Sequence, residues 1–167
     1  SNTLDSRNAG VGPCVGLHEV GHVRGIGTMG YASGFRTFAG YDGRDHAYYG
    51  NIAQGKWADI GCSGDIPVET DGGYGTAGGH WDEACMGDEL MTGYLDSNMY
   101  ISAITIGSLE DMGYGVEYTT ADPFGLDNLY SGENGCGNHC LEATRGTRRK
   151  LNKRTPLSED GVREMRH

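Results

Sequence analysis

Basic residues are scarce through most of this chain. Residues 1–141 hold 5 Lys and Arg against 19 Asp and Glu, so a nucleic acid finds no complementary charge there. Long apolar runs are missing as well. Nothing approaches the roughly 18 residues of a membrane span, and no signal-peptide pattern is present. No initiator Met opens the chain, which therefore reads as a mature product or a fragment. Apolar residues make up only 37% of the 167, and 30 are Gly. That composition excludes a core of long uniform helices and implies many turns and close backbone approaches. The length suits one domain.

What is present is unevenly placed. The formal charge of −10 conceals a basic end, where residues 142–167 hold 8 Lys and Arg against 4 Asp and Glu. Its stretch "RGTRRKLNKR" (145–154) reads as a solvated or disordered charged tail. Cysteines stand at Cys14, Cys62, Cys85, Cys136 and Cys140. Their density points to an oxidising compartment, and the odd count leaves at least one without an intrachain disulfide partner.

Local signals divide the chain into four stretches. Residues 1–30 comprise a polar lead-in and a helix from about Pro13 to Arg24, with Pro13 suited to a first helical turn and Gly25 to a left-handed stop. Residues 31–79 form a Gly- and Tyr-rich insertion of short strands or turns with its own local fold. Residues 80–130 contain a second helix, in which Ile101, Ile104, Ser108, Leu109 and Met112 follow three-and-four spacing before Gly113. "GVEYTT" behind it reads as a short strand. Residues 131–167 hold two cysteines and the basic tail, and offer little to bury.

Chemistry concentrates in "GLHEVGHVRGIG" (16–27). His18 and His22, four apart on a helix, project from one face and can meet a single tetrahedral zinc ion at about 2.0–2.1 Å. Glu19 sits about 100° around the helix from His18. That placement suits a general base toward a metal-activated water better than a third ligand. Gly25 lets the chain turn sharply after the pair. A short metzincin pattern would put the third histidine at position 28, which is Thr28. The remaining histidines are His46, His80, His139 and His167. Of these, His80 opens "HWDEACMGDELMTGYL", with Met91 eleven positions later in a turn-forming setting.

In these features the chain resembles the leishmanolysin-like metzincin zinc peptidases, whose third histidine is delayed by an insertion and followed by a methionine turn. "HEVGHVRGIGT", "PVET", "GGYGT", "HWDEACMGDELMTGYL" and "ISAITIGSLEDMGY" occur in the family's order, over about residues 14–125. The resemblance implies an α+β metzincin-like fold, one Zn²⁺ on His18, His22 and His80, Glu19 as catalytic base, and Met91 as an apolar floor beneath the metal. It implies a metalloendopeptidase acting on protein or peptide substrates, secreted or at the cell surface. Three features depart from the pattern. The sheet that precedes the active helix in relatives is expected to be truncated here. Arg24 falls, on a helical wheel, within the face turned from the metal, where packing is expected. Gly93 stands where some metzincins carry a tyrosine, and Tyr94 comes one step late; Tyr94 is assigned no role.

Other signals are weaker. "GYGTAG" (73–78) meets a dinucleotide glycine pattern but runs directly into His80, so it reads as a loop delivering that residue. "CGNHC" (136–140) lacks a second ligand pair and reads as a disulfide or thiol site rather than a metal knuckle. Cys14 reads as a small apolar helix residue or a disulfide partner. His46 is the rival third ligand; its neighbours Asp42 and Asp45 could hold calcium, but a solvated acidic turn accounts for them. Glu69, Glu83 and Glu89 would serve a two-His-one-Glu site, which usually draws its glutamate from a helix soon after the motif. The competing functional class is a catalytically inactive metzincin-like surface or adhesion protein with a zinc-stabilised or empty site.

Overall fold

The structure is a computed structural model that describes residues 12–27, 38–39, 47–73, 75–96, 98–130, 135–136 and 139–140. His46, Asp42, Asp45, the first eleven residues and the basic tail lie outside the described residues. The architecture is α+β: four helices and a small antiparallel sheet among the described residues. Helix α1 spans Gly12–Val23, α2 Asn51–Asp59, α3 Glu83–Met86 and α4 Ala103–Asp111. Strands β1 (Phe38–Ala39), β2 (Ala47–Tyr48) and β3 (Ile66–Pro67) pair in the order β1-β2-β3, with Tyr48 opposite both Phe38 and Ile66.

Helix α1 begins at Gly12 with Pro13 in its first turn, where a missing N–H costs nothing. Gly25 follows at φ 115°, a backbone conformation open mainly to glycine, and turns the chain so that Ile26 N–H reaches the Gly21 carbonyl at 3.1 Å. Helix α4 is capped by Ser102, whose Oγ accepts from Thr105 N at 3.1 Å.

Helix α2 has no such local signal, and the sequence reading passed it over. Its N-cap is Gly50, which offers no side-chain acceptor. Asp111, at the end of α4, supplies the cap from outside. One carboxylate oxygen accepts from Ile52 N at 2.9 Å, and the other from Ala53 N at 3.0 Å and Tyr48 Oη at 3.1 Å. A carboxylate on exposed N–H groups at the positive end of a helix is a favourable arrangement. The two helices can approach because Gly107 faces Ala53, where a Cβ would stand 3.1 Å from the Ala53 Cα.

The core gathers Tyr48, Ala53, Trp57, Ile66, Trp81, Met86 and Ile104, all essentially without exposed surface. Two disulfides, Cys62–Cys140 and Cys85–Cys136, bring Cys136 and Cys140 into it. Burial thus extends past Ser131, where the sequence offered little apolar surface. The cysteines of "CGNHC" reach different partners rather than forming a metal pair, and Cys14 takes no part in either bridge. Staples of this kind suit a chain whose apolar content is low.

Two further expectations fail. "GVEYTT" leads into a 3-10 turn at Tyr118–Thr120 instead of a strand. The N–H groups of Thr119, Thr120 and Ala121 donate locally, to Glu117 Oε1 at 3.2 Å, the Glu117 carbonyl at 3.4 Å and the Tyr118 carbonyl at 3.1 Å, which leaves none of the three for a ladder. Arg24 lies in the turn after α1 and is exposed, its guanidinium 5.7 Å from the Tyr114 ring centroid. The face predicted to pack is open: Leu17, Val20 and Val23 are 46%, 48% and 84% exposed. Helix α1 buries its histidine side, through Val15 and His18.

Candidate metal centre

Helical spacing sets His18 and His22 one turn apart, with their Nε2 atoms separated by 2.9 Å. The loop through residue 79 delivers His80, whose Nε2 lies 3.0 Å from that of His22 and 3.3 Å from that of His18. Among the described residues this is the one group of three or more His, Cys, Asp or Glu side chains able to share an ion.

The tautomers follow from the other ring nitrogen. Nδ1 of His18 faces the Leu90 carbonyl at 2.7 Å, that of His22 the Ile26 carbonyl at 2.9 Å, and that of His80 the Thr76 carbonyl at 2.9 Å. A carbonyl can only accept, so each Nδ1 carries the proton, and in the neutral imidazole each Nε2 then presents a lone pair. Three lone pairs converging at 2.9–3.3 Å repel one another unless a cation lies between them. A tetrahedral ion with nitrogen ligands at about 2.0–2.1 Å spaces them by roughly 3.3–3.4 Å, so the residues fit a metal. Burial pushes the His18 imidazole down to about 4 and the His80 imidazole down to about 3, which keeps both neutral near pH 7. Backbone carbonyls behind the imidazoles are the usual means of orienting metal ligands.

The loop carrying His80 is built around Glu69. Its backbone N–H donates to the His80 carbonyl at 2.9 Å, and its own carbonyl accepts from Gly78 N at 2.8 Å. Its carboxylate accepts from Thr70 N, Asp71 N and Glu83 N at 2.9, 3.0 and 3.1 Å. Glu69 therefore organises the loop and does not join the histidines. Glu83 and Glu89 are also buried and outside the cluster. Residues 75–79, the described end of the "GYGTAG" stretch and the glycine after it, turn the chain into His80. Sequence reasoning missed Gly27, at φ 72°, where a Cβ would overlap the Gly79 carbonyl. The second glycine of "GIG" was the available signal.

Met91 is fully buried against α1, and its carbonyl accepts from Trp81 N at 3.0 Å. Glu19 is half-buried on α1 beside His18, and Gly25 lies buried in the turn beyond His22. Tyr94 donates to Asp71 Oδ1 at 3.0 Å, away from any ligand duty.

The sequence model of the leishmanolysin peptidases matches residues 13–145, a span holding α1 from Pro13 onward, the His80 loop, the Met91 turn and both disulfides. No characterised protein and no solved structure matches the chain. With three imidazoles converging through a delayed third histidine, and with that match across most of its length, the chain belongs to the leishmanolysin family of metallopeptidases.

Proposed function

We propose that this chain carries the catalytic centre of a zinc-dependent metalloendopeptidase of metzincin-like fold, acting on protein or peptide substrates. The observation that supports it is the convergence of three Nε2 lone pairs whose Nδ1 protons are all committed to carbonyls. His18, His22 and His80 are the ligands in this reading, and Met91 closes the floor behind α1. Zinc, when bound, supplies Lewis acidity toward a water and the scissile carbonyl. Glu19 is the one polar side chain of the helical motif without a ligand duty. Its carboxylate takes the proton of the attacking water and hands it to the leaving amine. The two disulfides suit a secreted or cell-surface setting.

Glu19→Gln tests the assignment. The amide is nearly isosteric but cannot take the proton, so peptide hydrolysis should fall by about 10²–10⁴-fold while bound zinc stays at one per chain. Equal turnover by the variant and an active parent would remove Glu19 from the mechanism. A parent that binds zinc one to one but hydrolyses no peptide would support a catalytically inactive surface or adhesion protein instead.

A further inference from the structure

Behind the metal centre lies a carboxylate with no part in that reading. Glu89 is completely buried and accepts four hydrogen bonds. Its Oε1 receives Ser102 N at 3.1 Å, Ser102 Oγ at 2.7 Å and Thr105 Oγ1 at 2.5 Å. Its Oε2 receives Met91 N at 2.6 Å. The directions are forced by the outer members. Trp81 Nε1 can only donate, and does so to Thr105 Oγ1 at 2.8 Å, leaving the Thr105 hydroxyl proton for Glu89. Thr105 N likewise donates to Ser102 Oγ at 3.1 Å, which turns the Ser102 proton toward Glu89.

The amide of Met91 belongs to the same peptide unit as the carbonyl of Leu90. In a trans peptide the N–H and C=O point in opposite directions across one rigid plane. On one side the N–H meets Glu89; on the other the Leu90 carbonyl receives His18 Nδ1 at 2.7 Å. A carboxylate, a peptide group and an imidazole therefore stand in series, and hydrogen bonds in series polarise one another. The His80 arm differs. There the acceptor is the Thr76 carbonyl, and the amide of that peptide, Ala77 N, donates to the Gly73 carbonyl at 3.0 Å, a neutral group.

We propose that Glu89 is a positioning residue for the metal centre, orienting and polarising His18 across the Leu90–Met91 peptide from a site it does not itself enter. The proposal rests on the ligand assignment above and extends it. A carboxylate bonded to a ligand histidine raises its basicity and holds its ring. Here the same effect passes through a backbone unit, so the carboxylate can also fasten the N-terminus of α4 to the Met91 turn.

Glu89→Gln in the full chain is the discriminating change. Three donors hold the amide oxygen at the Oε1 position, so the NH₂ group must face Met91 N–H, donor against donor. The peptide then turns and His18 loses its acceptor. Zinc affinity, read by chelator competition, should fall about 10–100-fold, the range for losing such a partner. The d–d absorption of the cobalt-substituted protein should shift as well. Asp111→Asn, which uncaps α2, should lower the melting temperature and leave both readouts unchanged. In the unaltered zinc-loaded protein, the His18 Nδ1 proton should resonate downfield of those of His22 and His80. A Glu89→Gln variant with parental zinc affinity and cobalt spectrum overturns the proposal. If that variant does not fold, a His18 proton no further downfield than the other two overturns it instead. A parent that takes up no zinc defeats the ligand assignment, and this proposal with it; a zinc-binding parent indifferent to Glu89 defeats this proposal alone.

Discussion

Gly21 of α1 lies directly against the side chain of Met91: a Cβ at position 21 would stand 2.6 Å from the Met91 sulfur and 2.9 Å from its methyl carbon. Helix α1 is thus notched at the residue before His22, and the methionine fills the notch. Two effects oppose each other when the notch is closed. Alanine is favoured over glycine in a helix by up to about 1 kcal/mol. Overpacking a filled core costs about 1–3 kcal/mol, and the thioether end of Met91, although flexible, is fully buried and has no solvent-facing space to move into.

Gly21→Ala should therefore destabilise the protein, whereas the same change on a Met91→Ala background should be neutral or stabilising by up to about 1 kcal/mol. Chemical denaturation of the four proteins in the cycle checks this. Equal effects in both backgrounds would show that the contact with Met91 is not the cause.

Zinc stoichiometry separates the two candidate third ligands. Elemental analysis of His80→Ala should show loss of the metal, and His46→Ala should retain about one zinc per chain. The reverse result would replace His80 in the ligand set.

The pH dependence of stability should carry a signature of Glu83. Burial is the main force pushing its carboxyl up to about 9 from an ordinary 4.5. A raised folded-state pKa means the native protein holds a proton that the unfolded chain releases. That contribution is present below about pH 4.5 and is lost as pH rises through about 9. Glu83→Gln removes the titration. Its melting temperature relative to the parent should climb between pH 5 and pH 9, by about 2–4 °C for each kcal/mol. A difference that stays flat across that range would show that Glu83 titrates as an ordinary carboxylate.

Each disulfide should matter on the scale of total stability. Cys85–Cys136 closes a separation of 51 residues and Cys62–Cys140 one of 78. The loop-entropy relation gives about 4 kcal/mol for either. The double substitution Cys85→Ala with Cys136→Ala, followed by urea unfolding, should approach that loss. A change below about 1 kcal/mol would place the stabilisation in the surrounding packing.

Much of the candidate site was legible because its signals are local. A four-residue spacing puts His18 and His22 on one face of any helix, and Gly25 just beyond them favours a left-handed stop, whereas Gly16 and Gly21 inside α1 do not break it. The spacing of apolar residues before Gly113 marked α4 for the same reason. His80 and Met91 stood out through a pattern over a dozen residues, and the structure brings His80 to the pair. Tertiary structure decided what depends on partners distant in sequence. Helix α2 exists around a glycine cap because Asp111, almost sixty residues on, completes its N-terminus. Arg24 is exposed although a helical wheel buries it, since a wheel gives a side chain's direction and not what lies there. Glu69 and Glu89 looked like possible ligands, yet each is consumed by backbone donors that only folding assembles around it. A carboxylate reads the same in any sequence; whether it meets a metal, a proton or a peptide N–H is decided by the three-dimensional packing that removes it from water.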